Sequence, residues 1–187
     1  MKVDIYNTNK KYNIIYADPP WNYKDKRTDK RISGGAEKHY KTMKIQDIEQ
    51  MGETIKNISA DDCILFMWAT FPNLVEALKT IKAWGFTYKT LGFSWIKTNK
   101  NNGKPFFGIG FYTKSNCEVC LLGIKGKPSN LKISNSVSSC IISERREHSR
   151  KPNETRERIE KLVGQVPKIE LFARQEVEGW DCWGNEV

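Results

Sequence analysis

Apolar and polar positions along the chain follow two different periods. At 12–17 (YNIIYA), 63–68 (CILFMW), 87–97, 118–124 and 168–173 (KIELFA) the apolar residues stand on consecutive or alternate positions in short runs. Such runs predict strands, several of them covered on both faces. Ile45, Ile48, Met51 and Ile55 recur at helical spacing and predict an amphipathic helix over roughly 43–57. Leu74, Ala77, Leu78, Ile81 and Trp84 predict a second helix, opened by Pro72 and closed by Gly85. A short strand over 139–143, a charged amphipathic helix over 152–163 and an edge strand within 180–187 complete the pattern. Strands interleaved with helices predict an α/β fold built on one sheet. Two polar stretches, 22–41 and 98–116, fit neither period and are long loops, where function gathers in compact domains.

The 187 residues suit one domain, 1–187. Thirty-one Lys and Arg against 22 Asp and Glu give +9, a field that attracts an anionic polymer or an anionic membrane face. No apolar run approaches the ~18 residues of a spanning helix, and no N-terminal leader pattern stands out, so the expected setting is the cytoplasm. Five cysteines, at 63, 117, 120, 140 and 182, form an odd set that argues for reduced thiols. Cys117 and Cys120 have a metal-like spacing, but they lie in an apolar run and only His39 and His148 could join them. Buried strand thiols are expected there, and no metal.

Asp18-Pro19-Pro20-Trp21 follows the first buried strand directly. In open α/β sheets ligands gather outside the carboxyl ends of strands, so this places a carboxylate where a ligand is expected. Two prolines fix φ twice and remove two amide donors, leaving carbonyls on a rigid segment with no competing hydrogen. An exocyclic adenine nitrogen is a poor nucleophile because its lone pair is delocalised into the ring. Acceptors on both of its hydrogens, the Asp18 carboxylate and the Pro19 carbonyl, would free that pair, and Trp21 could stack on a base drawn out of its helix. A tight turn with Trp21 as a core aromatic is the competing reading. Trp68, Trp84 and Phe66 are expected to be core.

These residues carry a resemblance that extends along nearly the whole chain. Asp18-Pro19-Pro20-Trp21, HYKTM at 39–43, LFMW at 65–68, SWIKTNK at 94–100, CLLGIKG at 120–126, REHSRKPNE at 146–154, IELFAR at 169–174 and GWDCWGNE at 179–186 stand in the order found in the MT-A family. That family comprises the adenine methyltransferases named for the seventy-kilodalton messenger-RNA enzyme subunit. The resemblance implies methyl transfer from S-adenosylmethionine to the exocyclic nitrogen of adenine. It also implies a Rossmann-like methyltransferase fold: a mostly parallel sheet with helices on both faces and a permuted motif order, the catalytic motif preceding the cofactor-strand motif. By the same resemblance Asp18 through Trp21 form the catalytic loop, and Asp18 also holds the cofactor's amino group. Lys151 resembles the residue beside the methionine carboxylate, Arg174, Asn185 and Glu186 the ribose and adenine contacts, and Asp4 and Ile5 an N-terminal adenine contact. Tyr40, Trp95 and Glu118 resemble residues of the substrate pocket. After Arg174 the chain departs from the messenger-RNA members, carrying Gln175-Glu176-Val177 where those have a His-Asn pair.

The loops suggest the polymer. Residues 22–38 hold six cations, Lys26 and Arg27 among them, against three carboxylates. Residues 98–116 set Lys100, Lys104 and Lys114 beside Phe106, Phe107, Phe111 and Tyr112. Basic residues interleaved with aromatics suit a single-stranded or flipped nucleotide, charges taking phosphate and rings taking bases. With no appended recognition domain, sequence discrimination is expected from these loops, a homodimer or a partner subunit. The small size favours DNA over RNA and a prokaryotic or phage setting, by family analogy. An RNA adenine methyltransferase and a catalytically silent nucleic-acid-binding subunit are the alternatives.

Overall fold

The computed structural model describes residues 1–22, 42–110, 112–146 and 150–187. Lys26, Arg27, Tyr40 and Phe111 lie outside the described residues. Among the described residues seven strands form one sheet: β1 (Tyr12–Ala17), β2 (Ser59–Ala69), β3 (Thr87–Thr98), β4 (Cys117–Lys125), β5 (Cys140–Glu144), β6 (Lys168–Leu171) and β7 (Asp181–Trp183). Their order is β5-β3-β4-β2-β1-β6-β7. All pairings are parallel except those of β4, which runs against both β2 and β3. The sheet is therefore mostly parallel, with one reversed strand in its interior.

The apolar runs become central strands because both faces are covered. On one face Ile15, Ala17, Leu65, Met67 and Leu121 pack against Ile48, Ile55, Ala77, Ile81 and Trp84 of α1 (Ile45–Gln50), α2 (Gly52–Ile58) and α3 (Leu74–Ala83) with its cap. On the other, Ile14, Tyr16, Phe66, Trp68 and Phe93 pack with Ile159 and Val163 of α4 (Glu154–Val163) and with Trp180. Alternating strand residues thus feed two separate cores.

Three of the differences from the sequence expectation have a plain local cause. The helix expected over 43–57 is two helices, because Met51 at φ −64°, ψ −8° closes α1 and opens α2. Gly52 lies so near the end of α3 that a Cβ would stand 2.5 Å from the Ala83 carbonyl oxygen. β2 begins four residues before its apolar run, as Ser59 pairs with Tyr12 ahead of an irregularity in the register. Finally, β6 stops at Leu171, since Phe172 takes φ 59°, a left-handed conformation that no ladder continues.

Candidate active site

Because six strands run one way and β4 the other, the carboxyl ends of β1, β2, β6 and β7 meet the beginning of β4 along one edge. A cavity of about 560 Å³ opens there, lined by Asp18 to Trp21 after β1, Trp68 to Thr70 ending β2, Glu118 on β4, Phe172 to Arg174 after β6, and Trp183 to Glu186 ending β7, with Met43 and Lys151. That volume suits a small-molecule site, for which about 300–1,000 Å³ is usual.

Lys151 binds the charges of this cavity together. Its Nζ lies 2.8 Å from each Asp18 oxygen and 3.2 Å from Glu118 Oε2, and it sits 5.6 Å from the centroid of the Trp68 ring. Glu118 accepts a second bond, on Oε1, from Lys97. Burial pushes the Glu118 carboxyl up, but Lys151 and Lys97 outweigh it and hold the group below the usual glutamate range. Asp18 is raised: burial comes first, Lys151 only partly offsets it, and Glu118 adds repulsion. Lys151 itself is held charged, since Asp18 and Glu118 overcome the cost of its burial.

The Asp-Pro-Pro-Trp segment is a turn, as its prolines dictate. Its carbonyls, however, are not without competing hydrogens: the Trp21 amide donates to Pro19 O at 2.8 Å, and the Met43 amide donates to Pro20 O at 2.9 Å. This two-residue bond closes an inverse γ-turn centred on Pro20, whose ring fixes φ near the value such a turn needs. A carbonyl has two lone pairs, so Pro19 O keeps accepting capacity. Trp21 lines the cavity but is 4% exposed, and its indole N–H donates to Trp68 O at 3.0 Å. It is a fixed wall, and stacking on a base is limited to the edge it shows the cavity. Beneath it, Trp68 Nε1 donates to the Tyr16 hydroxyl at 2.8 Å. Trp68 is the core residue expected, and it also carries the lysine.

The far wall comes from β6 and β7. Phe172 stands edge-on to Trp183, centroids 5.4 Å apart, and Gly184 passes so close that a Cβ would meet Ala173 O at 2.3 Å. Arg174 Nε lies 3.4 Å from Glu186 Oε1 at the exposed lip, beside Asn185.

Of the expected residues, the structure brings together Asp18, Pro19, Pro20, Trp21, Lys151, Glu118, Arg174, Asn185 and Glu186. Asp4 and Ile5 are not on the cavity wall. The Asp4 carboxylate accepts bonds from the Tyr6 amide and the Asn7 side chain, and Ile5 is buried in the core. It is Tyr6 that reaches Trp183, edge-on at 6.0 Å. Lys104 is exposed on the β3–β4 connection, away from this wall, and Lys26, Arg27 and Tyr40 lie outside the described residues.

Trp95 is 1% exposed, donates to Ser143 O at 3.2 Å and lines a different cavity, of about 730 Å³, that shares only Glu118 with the first. Lys97 and Arg145, Arg146 and Arg150 also line this second cavity; three of them stand within the motifs quoted above, at 94–100 and 146–154, but none was given a role of its own. Thr70, Phe172, Trp183 and Gly184 were given none either; each follows or ends a strand at the same edge as Asp18, a signal that the strand pattern carried.

Comparison with known proteins gives the family. The family model described as MT-A70 matches residues 12–186. A type II methyltransferase, M.MunI from Mycoplasma sp, is 38% identical over 95% of this chain and 78% of its own length. An N(6)-adenosine-methyltransferase MT-A70-like protein of Arabidopsis thaliana is 28% identical over 100% of this chain and 25% of its own length. The human N(6)-adenosine-methyltransferase catalytic subunit METTL3 is 28% identical over 95% of this chain and 28% of its own length. The chain thus spans about a quarter of the plant and human relatives and most of the Mycoplasma one. With a match across nearly every strand and every wall of the cavity, the chain belongs to the MT-A70 family and has its Rossmann-like methyltransferase fold.

Proposed function

We propose that this chain transfers a methyl group from S-adenosylmethionine to N6 of adenine in DNA. The observation that carries the reading is the Asp18–Lys151 pair on the cavity floor, a negative and a positive group 2.8 Å apart. A zwitterionic amino acid is its electrostatic complement: the ammonium would take Asp18 and the carboxylate would take Lys151. Glu186 and Asn185 offer acceptors and a donor for a ribose and an adenine at the lip. The residues present therefore fit the cofactor. When bound, S-adenosylmethionine supplies an electrophilic methyl group.

The chain's own residues act on the adenine. Asp18 and the remaining lone pair of Pro19 O accept the amino hydrogens, pulling the nitrogen toward tetrahedral geometry and freeing its lone pair. Trp21 and Trp68 keep that segment rigid, so the acceptors are aimed before the base arrives. The proton released after transfer leaves to solvent. The names of the plant and human relatives support adenosine N6 as the atom, and the type II methyltransferase, matched over most of its length, supports DNA. RNA is the second reading, favoured by those same adenosine methyltransferases.

The test is labelled-methyl transfer by purified protein to single- and double-stranded DNA and RNA, followed by nucleoside mass analysis. N6-methyladenine in DNA is the expected result. Label in RNA alone would transfer the reading to the second polymer. No label in any polymer, with cofactor binding absent, would replace it with the silent binding subunit.

A further inference from the structure

Behind Asp18, on the side of the sheet that α4 covers, lies a third and much smaller cavity, of about 30 Å³. It meets the main cavity at Asp18 and Lys151, and Tyr16, Arg156, Glu170, Arg150 and Gln175 form the rest of its polar wall. Tyr16 and Glu170 are register partners on β1 and β6, so their side chains leave the sheet on the same face. Tyr16 is 1% exposed; its hydroxyl accepts the Trp68 indole N–H and keeps its own hydrogen to give. Glu170 takes both its bonds from one nitrogen of Arg156, at 3.0 and 3.2 Å, and so retains lone pairs on both oxygens. At the outer end Arg150 donates to the side-chain oxygen of Gln175, and both residues are partly exposed. Gln175 begins the stretch, 175–177, in which the chain departs from the messenger-RNA members.

We propose that this third cavity holds ordered water and is the exit for the proton that the target amino group loses, with Tyr16 as the positioning residue that orients the water against Asp18. The inference rests on the methyl-transfer reading above. A base and a cofactor in the main cavity cover the front of Asp18 at the moment of transfer, so a proton taken up there needs a way out behind. A buried water needs roughly 10–15 Å³ of accessible space and two to four polar partners, and this cavity offers room for about two waters. As the bond from the methyl group to nitrogen forms, its bond to sulfur breaks and the electron pair stays on sulfur. The nitrogen, now cationic, gives one hydrogen as a proton to the Asp18 carboxylate. A water that accepts from Tyr16 and from the protonated Asp18 has both its hydrogens left, one for Glu170 and one for the next water toward Gln175. The proton reaches solvent there, and Asp18 is ionised again for the next turnover.

The experiment pairs a high-resolution crystal structure of the wild-type chain with methyl-transfer kinetics in light and heavy water for the wild type, Tyr16→Phe and Gln175→Leu. Tyr16→Phe keeps the ring and its edge contact with Trp180, and removes only the hydroxyl. Gln175→Leu leaves both cores alone and puts an apolar group in the partly exposed mouth. Ordered water within hydrogen-bond reach of Asp18 and the Tyr16 hydroxyl is the expected finding in the crystal. In Tyr16→Phe kcat is expected to fall by about tenfold, short of the ~10²–10⁴ of a group that moves the proton itself, with cofactor Kd unchanged. In both variants the solvent isotope effect on kcat is expected to rise, because proton release has become slow. A thermal melt reports the lost Trp68 bond, and a purely structural role for Tyr16 would leave the isotope effect where it was. An unchanged kcat in Tyr16→Phe, a fall in kcat with no rise in isotope effect in either variant, or a cavity without water would each overturn the exit route and leave the methyl-transfer reading standing. No methyl transfer by the wild-type chain to any polymer would overturn that reading, and the route with it.

Discussion

Asp18 and Glu118 share one ammonium: Lys151 Nζ lies 2.8 Å from the first and 3.2 Å from the second, and only Glu118 has Lys97 as another cation. The two carboxylates are therefore unequal. Burial leaves Asp18 above the ordinary aspartate value of 3.8, whereas the two lysines draw Glu118 below the ordinary glutamate value of 4.5. On acidification Asp18 takes up its proton at a higher pH than an ordinary aspartate does. Its ionised form is the one that accepts hydrogens, so activity is lost as pH falls through the raised value. The acid limb of kcat/KM is expected above pH 3.8 and to vanish from the residual activity of Asp18→Asn. A limb at or below that pH would contradict the assignment.

Asp18→Asn keeps the shape of the side chain and removes its charge. Turnover is expected to fall by at least ~10²-fold, the scale for losing one aimed electrostatic group in a site. Folding should be little changed, because Glu118 still partners Lys151. A single-turnover assay beside a thermal melt separates the two effects, and near-normal turnover would remove Asp18 from its role.

Lys151→Met leaves Asp18 and Glu118 facing each other without their common cation. Cofactor affinity is expected to drop by about tenfold to a hundredfold, the range for one charge-assisted pair. Calorimetric titration with S-adenosylmethionine gives the answer, and an unchanged Kd would place the methionine carboxylate elsewhere.

At the far wall, Gly184→Ala forces a methyl group to within 2.3 Å of Ala173 O, a backbone atom that cannot swing aside. The expected loss is ~1–3 kcal/mol of stability, with weakened cofactor binding as the β6 and β7 ends part. Gly103→Ala is the control: φ is +64° but nothing lies within 4 Å, so only the left-handed backbone opposes it, at about 1 kcal/mol. Equal melting shifts for the two would argue against a packed wall.

Arg156 donates two bonds to Glu170 at 3.0 and 3.2 Å and a third to Asn153 at 2.7 Å, tying the segment that bears Lys151 to β6. Both ion-pair partners are nearly buried, at 11% and 12% exposure. Glu170→Gln strands the guanidinium and is expected to cost ~3–5 kcal/mol, with the double change Glu170→Leu/Arg156→Met recovering most of it. Chemical denaturation of the three proteins decides, and a double change no better than the single would show that the charges are needed for more than each other.

Much of this arrangement is legible in the sequence, and the reason is the period of the apolar residues. YNIIYA forms β1 at the residues expected, and so Asp18 comes at the end of a parallel strand without any structure to say so. Lys151, Arg174, Asn185 and Glu186 were reached by resemblance and do line the same cavity as Asp18. What stayed hidden depends on strand direction and on pairings between distant residues. Periodicity shows neither that β4 is reversed nor that Lys97 on β3 would face Glu118 on β4. The second cavity was hidden for the same reason: Arg145 and Arg146 look like solvated charge until β5 is set beside β3. Asp4 and Ile5 show the opposite limit, a resemblance that led to the right neighbourhood while the local Asx turn took the carboxylate for its own backbone.

The reversal of β4 has a consequence for how such a protein could be altered. Ile96 and Cys117 are register partners, so the connection from β3 to β4 leaves and rejoins the sheet about one strand spacing apart, ~5 Å, on the active face. A segment closed at both ends by a fixed ladder can change length at small entropic cost, about 0.6 kcal/mol for each doubling. Residues 99–116 are in effect a cassette: they can be lengthened, shortened or exchanged between relatives while the carboxylates, the lysines and the sheet beneath them stay as they are.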